Sequence, residues 1–141
     1  MLKGVNWIAV IIATVLLEGL GFLWYGPLFG KAWLAALGHD VISTNANMLM
    51  ALGVVNTFVC VTGLAWLINR VGAATLQTAV MTAVAAWFFF SLTTQSLEYL
   101  YMGMTLRLLE LNASFQLVSF AIAGAVLNLV KFGASAKVAA A

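Results

Sequence analysis

Gly21-Phe22-Leu23-Trp24-Tyr25-Gly26-Pro27-Leu28-Phe29-Gly30-Lys31-Ala32-Trp33 marks the place where an apolar helix ends and an aromatic, basic segment begins. Pro27, the single proline of the chain, has no backbone N–H and disfavours helix at Gly26, so the helix that arrives at Trp24 and Tyr25 stops there. Trp and Tyr rings are apolar at one end and polar at the other and settle at the headgroup level of a bilayer. The stretch reads as an exit from a membrane, and the other polar residues can be placed by depth from it.

Composition points the same way. Of 141 residues, 65% are hydrophobic and 7% charged, with a mean hydropathy of +1.10, whereas a soluble domain carries about 25% charged residues. Four apolar runs, at about 5–25, 48–68, 76–97 and 108–130, are each long enough to cross a hydrocarbon core of about 30 Å. They are continuous rather than alternating, which excludes a strand-built barrel. The expected fold is all-α, a single integral membrane domain over 1–141 made of a bundle of four transmembrane helices. A short amphipathic helix at about 28–37 follows the first, with Leu28, Phe29, Trp33, Leu34 and Leu37 on its apolar side, lying on the membrane surface or tucking into the bundle mouth. Glu18 inside the first run, the length of that run and the lack of an A-x-A-like cleavage site argue for a retained helix rather than a signal peptide.

Local chemistry supplies the ends. Asn6 and Ser43-Thr44-Asn45 are cap and turn residues, Gly38-His39-Asp40 breaks the interfacial helix, and Gly72 and Gly103 stop the second and third helices. Ala79-x-x-x-Ala83 and the Ala121, Gly124, Ala125 face are suited to close helix packing, whereas Gly26-x-x-x-Gly30 sits at a helix exit and is a poor dimer signal. The Trp87-Phe88-Phe89-Phe90 block lies too deep for an interfacial belt and packs within the bundle or against lipid. Lys3, Arg70, Lys131 and Lys137 share one side with no acid, while Lys31 and Arg107 face Asp40, Glu98 and Glu110 on the other. Basic residues favour the inside, so both termini are expected in the cytoplasm, the chain being a multi-pass protein of the inner (plasma) membrane. The net charge of +2 is too small and too dispersed for nucleic-acid binding.

Glu18 is the residue most able to carry chemistry. It lies about two turns inside the first span, where an ionised carboxylate costs about 3 kcal/mol or more unless paired or wetted. At a similar depth the other helices bring Asn56, then Thr94 and Gln95, then Asn112 and Gln116. Two readings follow: Glu18 is hydrogen-bonded to Asn56 or Gln116 in a structural knot, or these groups line a pocket open to the outer face around a protonatable Glu18. Glu98, Arg107 and Glu110 form an expected interfacial ion network at the turn between the third and fourth helices. His39-Asp40 offers too few ligands for a metal, and Cys60 is expected to be a small buried hydrophobe. No nucleophile–base pair, phosphate-cradling loop or catalytic carboxylate pair can be assembled, so no cofactor, metal or enzymatic activity is expected. A lipid-directed enzyme would have to draw on Glu98, Arg107, Glu110 and His39.

Trp24-Tyr25-Gly26-Pro27-Leu28-Phe29-Gly30-Lys31-Ala32-Trp33, preceded by Asn6-Trp7 and Gly21, resembles the signature of the domain-of-unknown-function 1761 family. The fourth-helix pattern Leu111-Asn112-Ala113, Leu117-Val118-Ser119 and Gly124-Ala125-Val126-Leu127 is similar to that family's C-terminal part. The resemblance implies a small bacterial membrane protein with four helices and marks Trp24, Tyr25, Gly26, Pro27, Phe29, Gly30 and Trp33 as the signature segment; it implies no activity. The expected role is that of a non-enzymatic membrane component whose partners are the lipid bilayer and further copies of itself or another membrane protein. A small transporter or channel using the outer pocket is the alternative.

Overall fold

The computed structural model describes residues 2–38 and 45–130. Among them the order is α1 (Trp7–Leu23), a π-helical turn (Trp24–Leu28), α2 (Gly30–Leu37), α3 (Ala46–Arg70), α4 (Leu76–Ala86), a π segment (Trp87–Leu92), α5 (Thr93–Met102) and α6 (Leu106–Leu129), with no strand. Helix α4, the π segment and α5 form one rod. Four helices, Trp7–Leu28, Asn47–Arg70, Leu76–Met102 and Leu106–Leu129, are long and apolar enough to cross a membrane. The expectations for His39, Asp40, Ser43, Thr44, Lys131 and Lys137 lie outside the described residues.

Side chains set the helix starts. Asn6 Oδ1 accepts from Ala9 N–H at 3.2 Å, Asn45 Oδ1 from Met48 N–H at 3.3 Å and Thr105 Oγ1 from Leu108 N–H at 3.2 Å. Thr75 and Thr78 form a reciprocal capping box at the start of α4. Gly72 and Gly103 reverse the chain after α3 and α5 at φ values of 68° and 67°, a conformation that side chains disfavour.

Asparagines tie one end together. Asn6 Nδ2 donates to the Val130 carbonyl at 2.8 Å, Asn69 Nδ2 to that of Gly4 at 3.0 Å and Asn128 Nδ2 to that of Ala74 at 3.1 Å. The start of the chain, the α3–α4 turn and the end of α6 therefore share this terminal end. Pro27, α2 and the Gly103 turn lie at the opposite, distal end.

The core sits in the terminal half. A Cβ on Gly124 would lie 2.8 Å from Ala83 Cβ and 3.0 Å from the Ala79 carbonyl oxygen, so α4 and α6 cross with their backbones close together. Of the small-residue faces anticipated, Ala79, Ala83 and Gly124 are buried at this crossing, and Ala121 and Ala125 are half-buried beside it. Val10 and Ala13 of α1 and Val61, Leu64, Ala65 and Ile68 of α3 join the same cluster. In the distal half α3 stands away from its neighbours: Leu52, Val55 and Val59 are 56%, 58% and 61% exposed.

The distal end is shaped by Pro27. It cannot donate to the carbonyl one turn back, and the ladder resumes with Phe29 N–H donating to the Trp24 carbonyl at 2.9 Å, a π turn. Regular α-helix thus ends at Leu23, before the Gly26-Pro27 stop read from sequence, and the kink falls at Gly26. A Cβ on Gly30 would lie 2.6 Å from the Tyr25 carbonyl oxygen, so the Gly26–Gly30 spacing serves the tight turn. Of the two placements considered for the interfacial helix, α2 tucks against α6. Thr105 Oγ1 donates to the Ala36 carbonyl at 2.9 Å, and Ala36 is buried with Leu108 and Leu111. The second π segment is held by Thr93 and Thr94, whose hydroxyls donate to the Phe89 and Phe90 carbonyls at 2.7 Å. Phe88, Phe89 and Phe90 are exposed, with Phe90 on the edge of a groove beside α3.

Substituting Gly124→Ala is expected to lower stability by about 1–3 kcal/mol through overpacking. Gly19→Ala, where a Cβ meets nothing within 4 Å, should be neutral or stabilising by about 0.5–1 kcal/mol. Equilibrium unfolding in mixed micelles distinguishes the two.

Candidate functional site

The separation of α3 from its neighbours opens a crevice of about 530 Å³ in the distal half. Helix α1 and the turn after it bring Glu18, Phe22 and Tyr25 to its wall. Helix α3 brings Asn56, Thr57 and Cys60, and α6 brings Phe115, Gln116, Ser119 and Phe120. Ser91 enters from the π segment. On the α5 side of α3 a second groove of about 520 Å³ is lined by Thr94, Gln95 and Glu98 and shares Cys60, Ser91, Gln116 and Phe120 with the first. A third recess, of about 690 Å³, runs toward α2 between Tyr25, Trp33, Gln95, Asn112 and Gln116. None of the residues lining these three spaces is basic.

The polar residues singled out by depth are therefore distributed. Glu18, Asn56 and Gln116 share the first crevice, Thr94 and Gln95 the second and Asn112 the third, with Gln116 bordering all three. Glu18 is half-buried. Among the described residues neither Asn56 nor Gln116 hydrogen-bonds it. Gln116 Oε1 instead accepts from Ser91 Oγ. The cross-helix polar link of the distal half runs through two tyrosines: Tyr25 Oη donates to Asn112 Oδ1 at 2.8 Å, and Asn112 Nδ2 donates to Tyr99 Oη at 2.7 Å. Gln95 Oε1 is buried without a partner among the described residues. Sequence reasoning missed Ser91, Tyr25 and Tyr99 as polar partners. An aromatic ring at a helix end, such as Tyr25, reads from sequence as a headgroup anchor.

The trio Glu98, Arg107 and Glu110 is divided. Arg107 Nη1 meets Glu110 Oε2 at 3.2 Å, with both side chains about two-thirds exposed, so the pair adds little. Glu98 belongs to the second groove. Cys60 is exposed and lines the first and second grooves, which corrects the expectation of a buried hydrophobe. Cys60 falls in the half of α3 that stands away from its neighbours, where Leu52, Val55 and Val59 are also exposed.

The signature residues build the distal wall. Trp24 packs on Phe29 at 4.6 Å and on Phe115 at 5.9 Å between ring centroids. Tyr25 packs on Phe115 at 5.0 Å and on Trp33 at 5.5 Å. Residues 8–128 match the family described as "Protein of unknown function (DUF1761)". The chain belongs to the DUF1761 family. No curated protein and no solved structure matches it. The matched region of this DUF1761 chain takes in all the walls of the crevice and the whole aromatic turn.

Tyr25→Phe and Tyr99→Phe are each expected to cost about 0.5–1.5 kcal/mol, as interhelical hydrogen bonds do in lipid. Because both hydroxyls act through Asn112, the double variant should lose less than the sum of the two. A double-mutant cycle on unfolding in micelles measures the coupling.

Proposed function

We propose that this DUF1761 protein is a non-enzymatic integral membrane protein, a four-helix bundle of the plasma membrane with cytoplasmic termini, that takes a small solute into its distal crevice. On this reading it is a small transporter or channel component, and Glu18 is its protonatable ligand group. The observation that carries the reading is the placement of Glu18, half-buried on the wall of a cavity with Asn56 and Gln116 and hydrogen-bonded to neither. A carboxylate at that depth costs about 3 kcal/mol when left unpaired. A structural knot would use the amide donors of Asn56 or Gln116 against it, whereas a ligand site leaves it available. An enzyme acting on lipids is disfavoured, because Arg107 and Glu110 lie outside the three spaces described above.

The exposed distal half of α3 favours a second element of the proposal. Met50 is 70% and Leu52 56% exposed, a surface that a second copy or another membrane protein can cover.

The native Cys60 reports on whether the crevice is wet. In sealed proteoliposomes, a membrane-impermeant, positively charged thiol reagent added outside is expected to label Cys60, and Glu18→Leu should slow labelling several-fold. Absence of labelling from either side of the bilayer would mean a dry interface and would remove the crevice as a solute site.

A further inference from the structure

We propose that the occupant of the crevice is a lipophilic organic cation, held by the Glu18 carboxylate and by aromatic rings and admitted sideways from the lipid past the distal half of α3. This rests on the crevice reading above and narrows it to a chemical class. Three observations carry it.

The first is charge. Glu18 is the one carboxyl side chain on the wall of the first crevice, and no basic side chain lines any of the three spaces. An anion or a zwitterionic headgroup would bring its phosphate or carboxylate into a site with no cation to meet it, whereas a cationic nitrogen or phosphorus centre would meet a carboxylate.

The second is the remaining surface. Phe22, Tyr25, Phe115 and Phe120 stand around the same space. Ring faces attract a desolvated cation and also accept its apolar substituents. Asn56 adds an amide oxygen that can turn toward positive charge, whereas that of Gln116 is held by Ser91 Oγ. A small hydrated ion would gain little from so aromatic a wall; a bulky cation with apolar groups uses both parts.

The third is access. Phe22 on α1 is 77% exposed and Cys60 on α3 is exposed, and both line the crevice, so its lips open to the side as well as toward the distal end. The cavity of about 530 Å³ falls within the range of small-molecule sites. The terminal half is closed by Val10, Ala13, Val61 and Ala65, so the occupant reaches the distal half and stops there in this conformation.

The test uses the purified full chain in a neutral maltoside detergent, with labelled tetraphenylphosphonium as the probe in equilibrium dialysis. The wild type is expected to bind it saturably. Glu18→Gln should weaken binding about tenfold or more, and Glu18→Asp should retain most of it. Glu98→Gln, in the second groove, should change it less than about twofold. Tetraphenylborate, the anion of the same shape, dialysed separately, should not bind saturably, and phosphatidylethanolamine should not compete with the cation. Unfolding curves for each variant separate loss of the site from loss of the fold. Equal binding by Glu18→Gln, or equal binding of tetraphenylborate dialysed separately, would overturn the proposal in favour of a nonspecific apolar surface. Displacement by phosphatidylethanolamine would overturn it in favour of a lipid headgroup. Failure of the wild type to bind while Cys60 stays reactive to the polar reagent would overturn the cation and leave the solute crevice standing; an unreactive Cys60 would remove both.

Discussion

A single added methyl at Gly124 would collide with Ala83, and the rest of the molecule is arranged around the close approach that this permits. Helices in hydrocarbon gain no hydrophobic advantage from meeting one another, so they associate where backbones come near enough for dense packing and short-range dispersion. Ala79, Ala83, Ala123 and Gly124 supply that nearness between α4 and α6, and Val10, Ala13, Val61 and Ala65 add α1 and α3 to it. All of these residues lie toward the terminal end. The asparagine bonds to the Val130, Gly4 and Ala74 carbonyls close the same end, and the polar atoms that reach it are spent on backbone groups.

Toward the distal end the small residues give out and the helices are held by different means. Aromatic contacts around Phe115 and the Tyr25–Asn112–Tyr99 link fasten α1, α5 and α6 to one another. Helix α2, bonded to Thr105 through the Ala36 carbonyl, lies over the start of α6. Helix α3 has no comparable tie among the described residues, and the crevice is the space this leaves. Both π turns lie at this level, one forced by Pro27 and one supported by the hydroxyls of Thr93 and Thr94. Each adds a residue to a turn and shifts the face its neighbours present. Tyr25 and Ser91, which sit in these turns, are the side chains they direct toward Asn112 and Gln116.

A half-sealed, half-open assembly of this kind suits a site reached from one side. The closed half holds the geometry while the open half presents the Glu18 carboxylate and the Asn56 amide, which make no side-chain hydrogen bond among the described residues, beside rings that also pack the distal wall. Gln116 borders all three spaces, and Ser91, from which it accepts, lines the first two with it.

By itself the sequence determined the solvent, the helix count and the small-residue crossing. Continuous apolar runs, a lone proline flanked by aromatics, capping residues and Ala-x-x-x-Ala spacing are local signals whose meaning depends little on what lies across the chain. Depth also placed Glu18, Asn56 and Gln116 at one level, because rise per residue is fixed in a helix. Only the tertiary structure decided which of these groups meet. Cys60 is exposed on an α3 that stands away from its neighbours, Glu18 has no bond from Asn56 among the described residues, the π turns bring Ser91 and Tyr25 to their partners, and Glu98 is parted from Arg107 and Glu110. Azimuth and tilt are set by packing between helices distant in sequence, and a one-residue change in winding re-aims a side chain by about a quarter turn, which no count along the chain can report.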